Sequence, residues 1–183
     1  VILYCGRLSP EKNPSELLQA FKLLDSPHKL LAFVGDGVLR QSLENFVESN
    51  DIGPVRFFGF QNRTEISKFY AIADALVVPS LQEATGAVIT EAMCFGLPVI
   101  VTDRVGFGMD LIKHGTNGFI YPVGDRELLA DYITQTVWTS DENKAIAARY
   151  SQERIAEWSR LDLAGSLLAH LDSLYSKHGV AGR

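Results

Sequence analysis

The sequence is poor in the residues that staple a chain, hold a metal or grip a phosphate backbone. Of 183 residues only two are cysteines, Cys5 and Cys94, and both sit inside apolar runs. They read as buried small hydrophobes, which excludes a disulfide framework and a thiolate metal site. The four histidines, His28, His114, His170 and His178, are scattered without ligand spacing, and no metal is expected. A basic surplus is missing as well. The net charge is −5 and the pI about 5.4, which argues against nucleic acid as a partner, because phosphate backbones are met by basic faces. No apolar run approaches the roughly 18 residues of a membrane span. No leader segment is expected ahead of the first apolar run. The chain opens on VILYCG without a methionine, so a piece of a longer protein is the expectation.

What is present is apolar and punctuated. The hydrophobic fraction of 46% is enough for one sizeable core or one large α/β domain. Short apolar runs without alternation recur at 1–5, 29–34, 55–58, 75–78, 98–102 and 118–121. They read as strands buried on both faces, as in a parallel sheet. Helical patterns lie between them. One spans 14–24 and opens on Pro14 and Ser15. The others span 38–49, 64–73 with Thr64 as N-cap, 86–95 stopped by Gly96 and Pro98, and 125–137 capped by Asp125. This alternation predicts a Rossmann-like doubly wound α/β domain with about six parallel strands. Beyond Ser140 the strand pattern ends. Two helices are expected near 141–149 and 151–177, followed by a frayed HGVAGR end.

In such sheets ligands bind outside the carboxyl ends of the strands, so the loops there carry the chemistry. The first, GRLSPEKN, holds Arg7 and Lys12 in a turn broken by Pro10. A guanidinium fork and an ammonium point charge can neutralise a diphosphate, although the same loop also fits a plain solvated turn. The second, Gly35-Asp36-Gly37, permits close backbone approach to a ligand but is also an ordinary turn. It lacks the later glycines of the dinucleotide fingerprint. The others are GFQNR, PSLQEATG and DRVGFG.

The PSLQEATG loop is the most informative. Gly86 opens a helix whose first amides lack intrahelical partners and suit an anion or a ring of sugar hydroxyls. The stretch from Ala87 to Gly96 is expected to be apolar on every side, yet it carries Glu91. An unpaired buried carboxylate costs several kcal/mol or protonates, so Glu91 needs a donor. It lies about 7–8 Å along the axis from Gly86, which suits a ribose hydroxyl pair when phosphates sit at the helix N-terminus. The alternative is a structural carboxylate bonded to a neighbouring backbone amide.

Taken together, GRLSPEKN, VGDG, VRFFGF, YAIADALVVPS, the E-x(7)-E pair Glu83 and Glu91, AMCFGLPVIVTD and GTNGFIYPVGD resemble glycosyltransferase family 4 (glycosyl transferases group 1), the retaining group of GT-B fold. The resemblance runs from Val1 to about Val137. It implies the C-terminal, donor-binding half of a two-domain enzyme, whose N-terminal acceptor domain is absent from this chain. Residues 1–139 would be the nucleotide-sugar-binding domain and 140–183 its C-terminal helices.

By the same resemblance, Arg7 and Lys12 bind the donor diphosphate and stabilise the leaving nucleotide. Glu83 lies beside the transferred sugar. Amides near Thr85 and Gly86 bond sugar hydroxyls, those near Ala87 and Val88 bond phosphate, and Glu91 takes the ribose. Backbone at Phe58, Gly59 and Phe60 meets the base, while Gly6, Gly35 and Gly37 let the donor approach. The implied donor is a UDP- or GDP-sugar, with no permanently bound cofactor. The implied acceptor is a glycan or a lipid-linked glycan in polysaccharide assembly. The implied location is the cytoplasm, at the inner membrane face through the absent domain.

Thr85, Phe95 and the DRVGFGMDL segment depart from the common pattern, and Thr85 puts the sugar identity in doubt. Two other readings share the fold: a nucleotide-sugar-binding regulatory module without catalysis, and a nucleotide-sugar epimerase, which the E-x(7)-E pair disfavours. A response-regulator-like domain would need an acidic pocket after the first strand, where this chain is basic.

Overall fold

The computed structural model describes residues 1–160. Six strands form one wholly parallel sheet: β1 (Ile2–Cys5), β2 (Leu31–Val34), β3 (Val55–Phe57), β4 (Ala75–Val78), β5 (Val99–Thr102) and β6 (Gly118–Tyr121). Their order is β3-β2-β1-β4-β5-β6. Each expected apolar run became one of these strands, trimmed by up to two residues at its ends. The helices are α1 (Pro14–Leu23), α2 (Arg40–Ser49), α3 (Arg63–Ile72), α4 (Ala87–Cys94), α5 (Gly106–Leu111), α6 (Arg126–Val137) and α7 (Asp141–Arg160).

Strand periodicity sorts the core into two layers. Ile2 and Tyr4 of β1 point to the face covered by α1, α2 and α6, where Leu17, Phe21 and Ile133 are fully buried. Leu3 and Cys5 point to the other face, covered by α3, α4, α5 and α7, against Tyr70, Ile89 and Met93. The period of two along one strand therefore sends Cys5 toward α3 and α4 and Tyr4 toward α1.

Several details differ from the sequence reading. The cap of α3 is Asn62, not Thr64. Its side chain accepts from the amides of Thr64 and Glu65, both at 3.0 Å, because an Asx oxygen reaches the N2 and N3 amides from the preceding position. Asn62→Ala should cost about 1 kcal/mol, read from chemical denaturation. The first of the two expected C-terminal helices does not stop at 149, since α7 runs unbroken through Tyr150 to Arg160. The remainder of the second, and the frayed end, lie outside the described residues. α5 begins inside the DRVGFG loop and runs on to Leu111, and its six residues are too few and too rich in glycine to show a helical period. Cys5 is buried but Cys94 is exposed, because Cys94 lies on the outer side of α4. None of the described helices is long and apolar enough to cross a membrane.

Candidate functional site

The sheet order reverses between β1 and β4, so the connections leaving their carboxyl ends part and open a crevice. A cavity of about 230 Å³ occupies it. It is lined by the ends of β1 and β4, by Lys12 and Glu83, and by the start of α4 from Thr85 to Val88. A second cavity of about 320 Å³ adjoins it, lined by Arg7, Gly35, Asp36 and Phe60. The two share Cys5 and Gly6, so Arg7 and Lys12 stand on either side of one crevice. A larger cavity of about 520 Å³ lies at the amino ends of β5 and β6, near the α6–α7 junction. It holds none of the candidate site residues, and we assign no ligand to it.

Each element of the crevice is fixed from outside. Lys12 ends a 3₁₀ turn at Pro10–Lys12. That turn is tied to the β4–α4 loop by the Leu81 amide, which donates to the Glu11 carbonyl at 2.9 Å. The Lys12 ammonium donates to the Glu83 carboxylate, with the two side chains 28% and 18% exposed. Glu83 is clamped through its backbone. Its amide donates to the Arg104 carbonyl at 3.1 Å, and its carbonyl accepts from the Gly106 amide at 2.9 Å. Gly106 has to be glycine for this contact, since a Cβ there would sit 2.3 Å from the Ala84 carbonyl oxygen. Arg7 is exposed, and its carbonyl accepts from the buried Tyr4 hydroxyl at 2.7 Å. Burial pushes the Tyr4 phenol up, and the nearby Cys5, Glu11 and Glu83 push it further the same way, so it stays a donor.

Gly35 and Gly37 also pack closely on the protein's own backbone. A Cβ on Gly35 would lie 1.9 Å from the Gly6 carbonyl oxygen, and one on Gly37 would lie 2.3 Å from the Leu8 carbonyl oxygen. Their close approach is to the first loop, which they hold in place. Gly35 also donates to the Gly59 carbonyl at 2.8 Å. That bond narrows the expectation for Phe58 to Phe60. The Phe58 amide already donates to Phe33, the Phe58 carbonyl accepts from Gln61 at 2.9 Å, and the Gly59 carbonyl is taken. The Phe60 ring is 80% exposed and lines the second cavity.

Gly86 caps α4 in the left-handed region at φ 65, with no side chain capping the helix. The amides at the helix start are thereby left to face the cavity. The helix has a solvent-facing side that its apolar sequence did not suggest. Ile89, Ala92 and Met93 are buried, whereas Ala87, Cys94 and Phe95 are exposed and Glu91 is half-buried. Glu91 lines neither cavity, and its donor does not have to wait for a ligand. The Tyr70 hydroxyl donates to Glu91 Oε2 at 2.9 Å and lies 3.6 Å from Cys5 Sγ. Sequence reasoning missed Tyr70. The signal was its place in the apolar stripe Ile66, Phe69 and Tyr70 of α3, which aims its hydroxyl end at the sheet.

The family model described as glycosyl transferases group 1 matches residues 1–154. An uncharacterized glycosyltransferase of Methanocaldococcus jannaschii is 34% identical over 86% of this chain and 43% of its own length. The sulfoquinovosyl transferase of Arabidopsis thaliana is 32% identical over 86% of this chain and 30% of its own. Among solved structures, Anabaena HepE in complex with UDP superposes with a TM-score of 0.77 at 27% identity, over 96% of this chain and 48% of that one. The chain spans half or less of the curated relatives it matches. Its six-stranded sheet with flanking helices is the Rossmann-like half of a GT-B fold. The family model over residues 1–154, with relatives above 30% identity across most of the chain, places this protein in the glycosyl transferases group 1 family.

Proposed function

We propose that this chain is the donor-binding half of a retaining glycosyltransferase of family 4, transferring a hexose from a nucleotide-sugar to a glycan or lipid-linked acceptor. The observation that carries the reading is the meeting of Lys12, Glu83 and the uncapped N-terminus of α4 in one crevice at the switch point. A diphosphate there meets two cations, Arg7 and Lys12, and the amides of Ala87 and Val88. Those groups stabilise the charge that develops on the leaving nucleotide. Glu83 faces the transferred sugar, the amides near Thr85 and Gly86 bond its hydroxyls, and Glu91 accepts from the ribose. Uridine donors are favoured by the likeness to HepE, which is crystallised with UDP and with UDP-glucose.

The acceptor site belongs to an N-terminal domain of the same enzyme, which also carries any contact with the inner membrane face. Residues 1–183 are therefore expected to bind donor without transferring sugar. The reading is tested by a thermal-shift screen against UDP, GDP and ADP, followed by calorimetry with Arg7→Ala. Hydrogen bonds to a charged group contribute about 1.5–3 kcal/mol, so the variant should bind the selected nucleotide at least about tenfold more weakly. Unchanged affinity in Arg7→Ala would remove Arg7 from the diphosphate site.

A further inference from the structure

Glu91 is held before any ligand arrives. Tyr70 is 2% exposed and its hydroxyl carries one proton. Two acceptors lie within reach, Glu91 Oε2 at 2.9 Å and Cys5 Sγ at 3.6 Å. The carboxylate wins that proton, since charge-assisted bonds are about twice as strong as neutral ones. The Cys5 thiol is pushed up to about 11, mainly by burial, so it keeps its own proton and can donate back to the phenol oxygen. The Tyr70 phenol is raised as well, by burial first and then by Cys5 and Glu91, and stays a donor. The Phe95 ring packs against the Tyr70 ring with centroids 5.7 Å apart. Cys5 forms part of the wall of both cavities, so a continuous chain of polar groups runs from the crevice to Glu91.

This arrangement constrains a flexible side chain. With Oε2 engaged by Tyr70, the carboxylate loses part of its rotational freedom and Oε1 is left to accept. A free glutamate would have to give up its rotamer freedom when it binds a hydroxyl pair, and ordering it beforehand removes that cost from the binding step. We infer that Tyr70 is a positioning residue that presets the Glu91 carboxylate and so gives the site its preference for a ribonucleotide over a nucleotide lacking the ribose hydroxyls. The inference rests on the reading of Glu91 as the ribose acceptor.

The test is calorimetry on the 183-residue chain with UDP, GDP and ADP and their 2′,3′-dideoxy forms, for wild type, Tyr70→Phe, Glu91→Gln and the double variant. Tyr70→Phe keeps the ring and its packing on Phe95. It should weaken the preferred ribonucleotide by about fivefold and leave its dideoxy form within about twofold. The double variant should bind like Glu91→Gln alone, because Tyr70 acts only through that carboxylate. Equal loss for ribo and dideoxy forms in Tyr70→Phe would reduce Tyr70 to a packing role and overturn the inference, as would no loss for either. The underlying reading fails separately, and the inference with it, if Glu91→Gln affects both forms alike.

Discussion

Lys12→Ala should lower turnover by roughly 10²–10³-fold in the enzyme completed by its N-terminal half, the range seen when one preorganised charge-stabilising group is removed from a transition state. The expected loss is large because Lys12 does two jobs. In the proposed site it faces the diphosphate, and in the free chain it neutralises Glu83. Without it, a carboxylate 18% exposed confronts the incoming phosphates across a cavity of about 230 Å³. Like charges about 5 Å apart repel by on the order of 3 kcal/mol at an effective dielectric of 20.

Glu83→Gln separates binding from chemistry. It releases Lys12 and removes that repulsion, so bare UDP should bind more tightly, by about fivefold. Turnover should nevertheless fall at least about tenfold, since the contact to the transferred sugar loses its charge. Calorimetry with UDP and steady-state kinetics on the completed enzyme read the two effects. A Glu83→Gln variant that binds UDP more weakly and turns over normally would place Glu83 outside the sugar site.

The second large effect is on folding. Gly35→Ala should destabilise the chain by about 3–5 kcal/mol, adding overpacking to left-handed strain. A Cβ there would stand 1.9 Å from a backbone oxygen, and φ is +134. Two neighbouring cases separate the causes. Gly37 has the clash, 2.3 Å from the Leu8 carbonyl oxygen, without a positive φ. Gly115 has a φ of +77 with nothing within 4 Å, so its alanine variant should lose only about 1–2 kcal/mol. Denaturant midpoints should therefore fall in the order Gly35, Gly37, Gly115, the first losing most. Gly35→Ala should also weaken nucleotide binding, because the β2 loop it belongs to braces the loop that bears Arg7. Equal midpoints for Gly35→Ala and Gly115→Ala would mean that the two loops are not in contact.

The sheet was legible because a parallel strand buried on both faces must be a short run of apolar residues, a form that β1, β2, β4 and β5 have in full and that the edge strand β3, with its exposed Arg56, has only in part. The crevice was legible because the loops at the strand ends concentrate glycine and charge. What escaped were contacts made across the sheet. Nothing local to Tyr70 announces that it meets Glu91, since the two belong to different helices and come together only once α3 and α4 pack side by side on one face. The outer side of α4 escaped for a related reason. Cys94 and Phe95 are apolar in sequence, and only the packing of α4 decides that they face outward. Gly35 and Gly37 were legible as close-approach glycines, but not their packing on the Gly6 and Leu8 carbonyls of the neighbouring loop.

The central claim is that the β1/β4 crevice holds a nucleoside diphosphate, and a crystal structure of this chain with UDP tests it most directly. The account predicts diphosphate density between Arg7, Lys12 and the amides of Ala87 and Val88, with the ribose hydroxyls within hydrogen-bond distance of Glu91. UDP seated instead in the cavity at the amino ends of β5 and β6, or with its ribose turned away from Glu91, would contradict it.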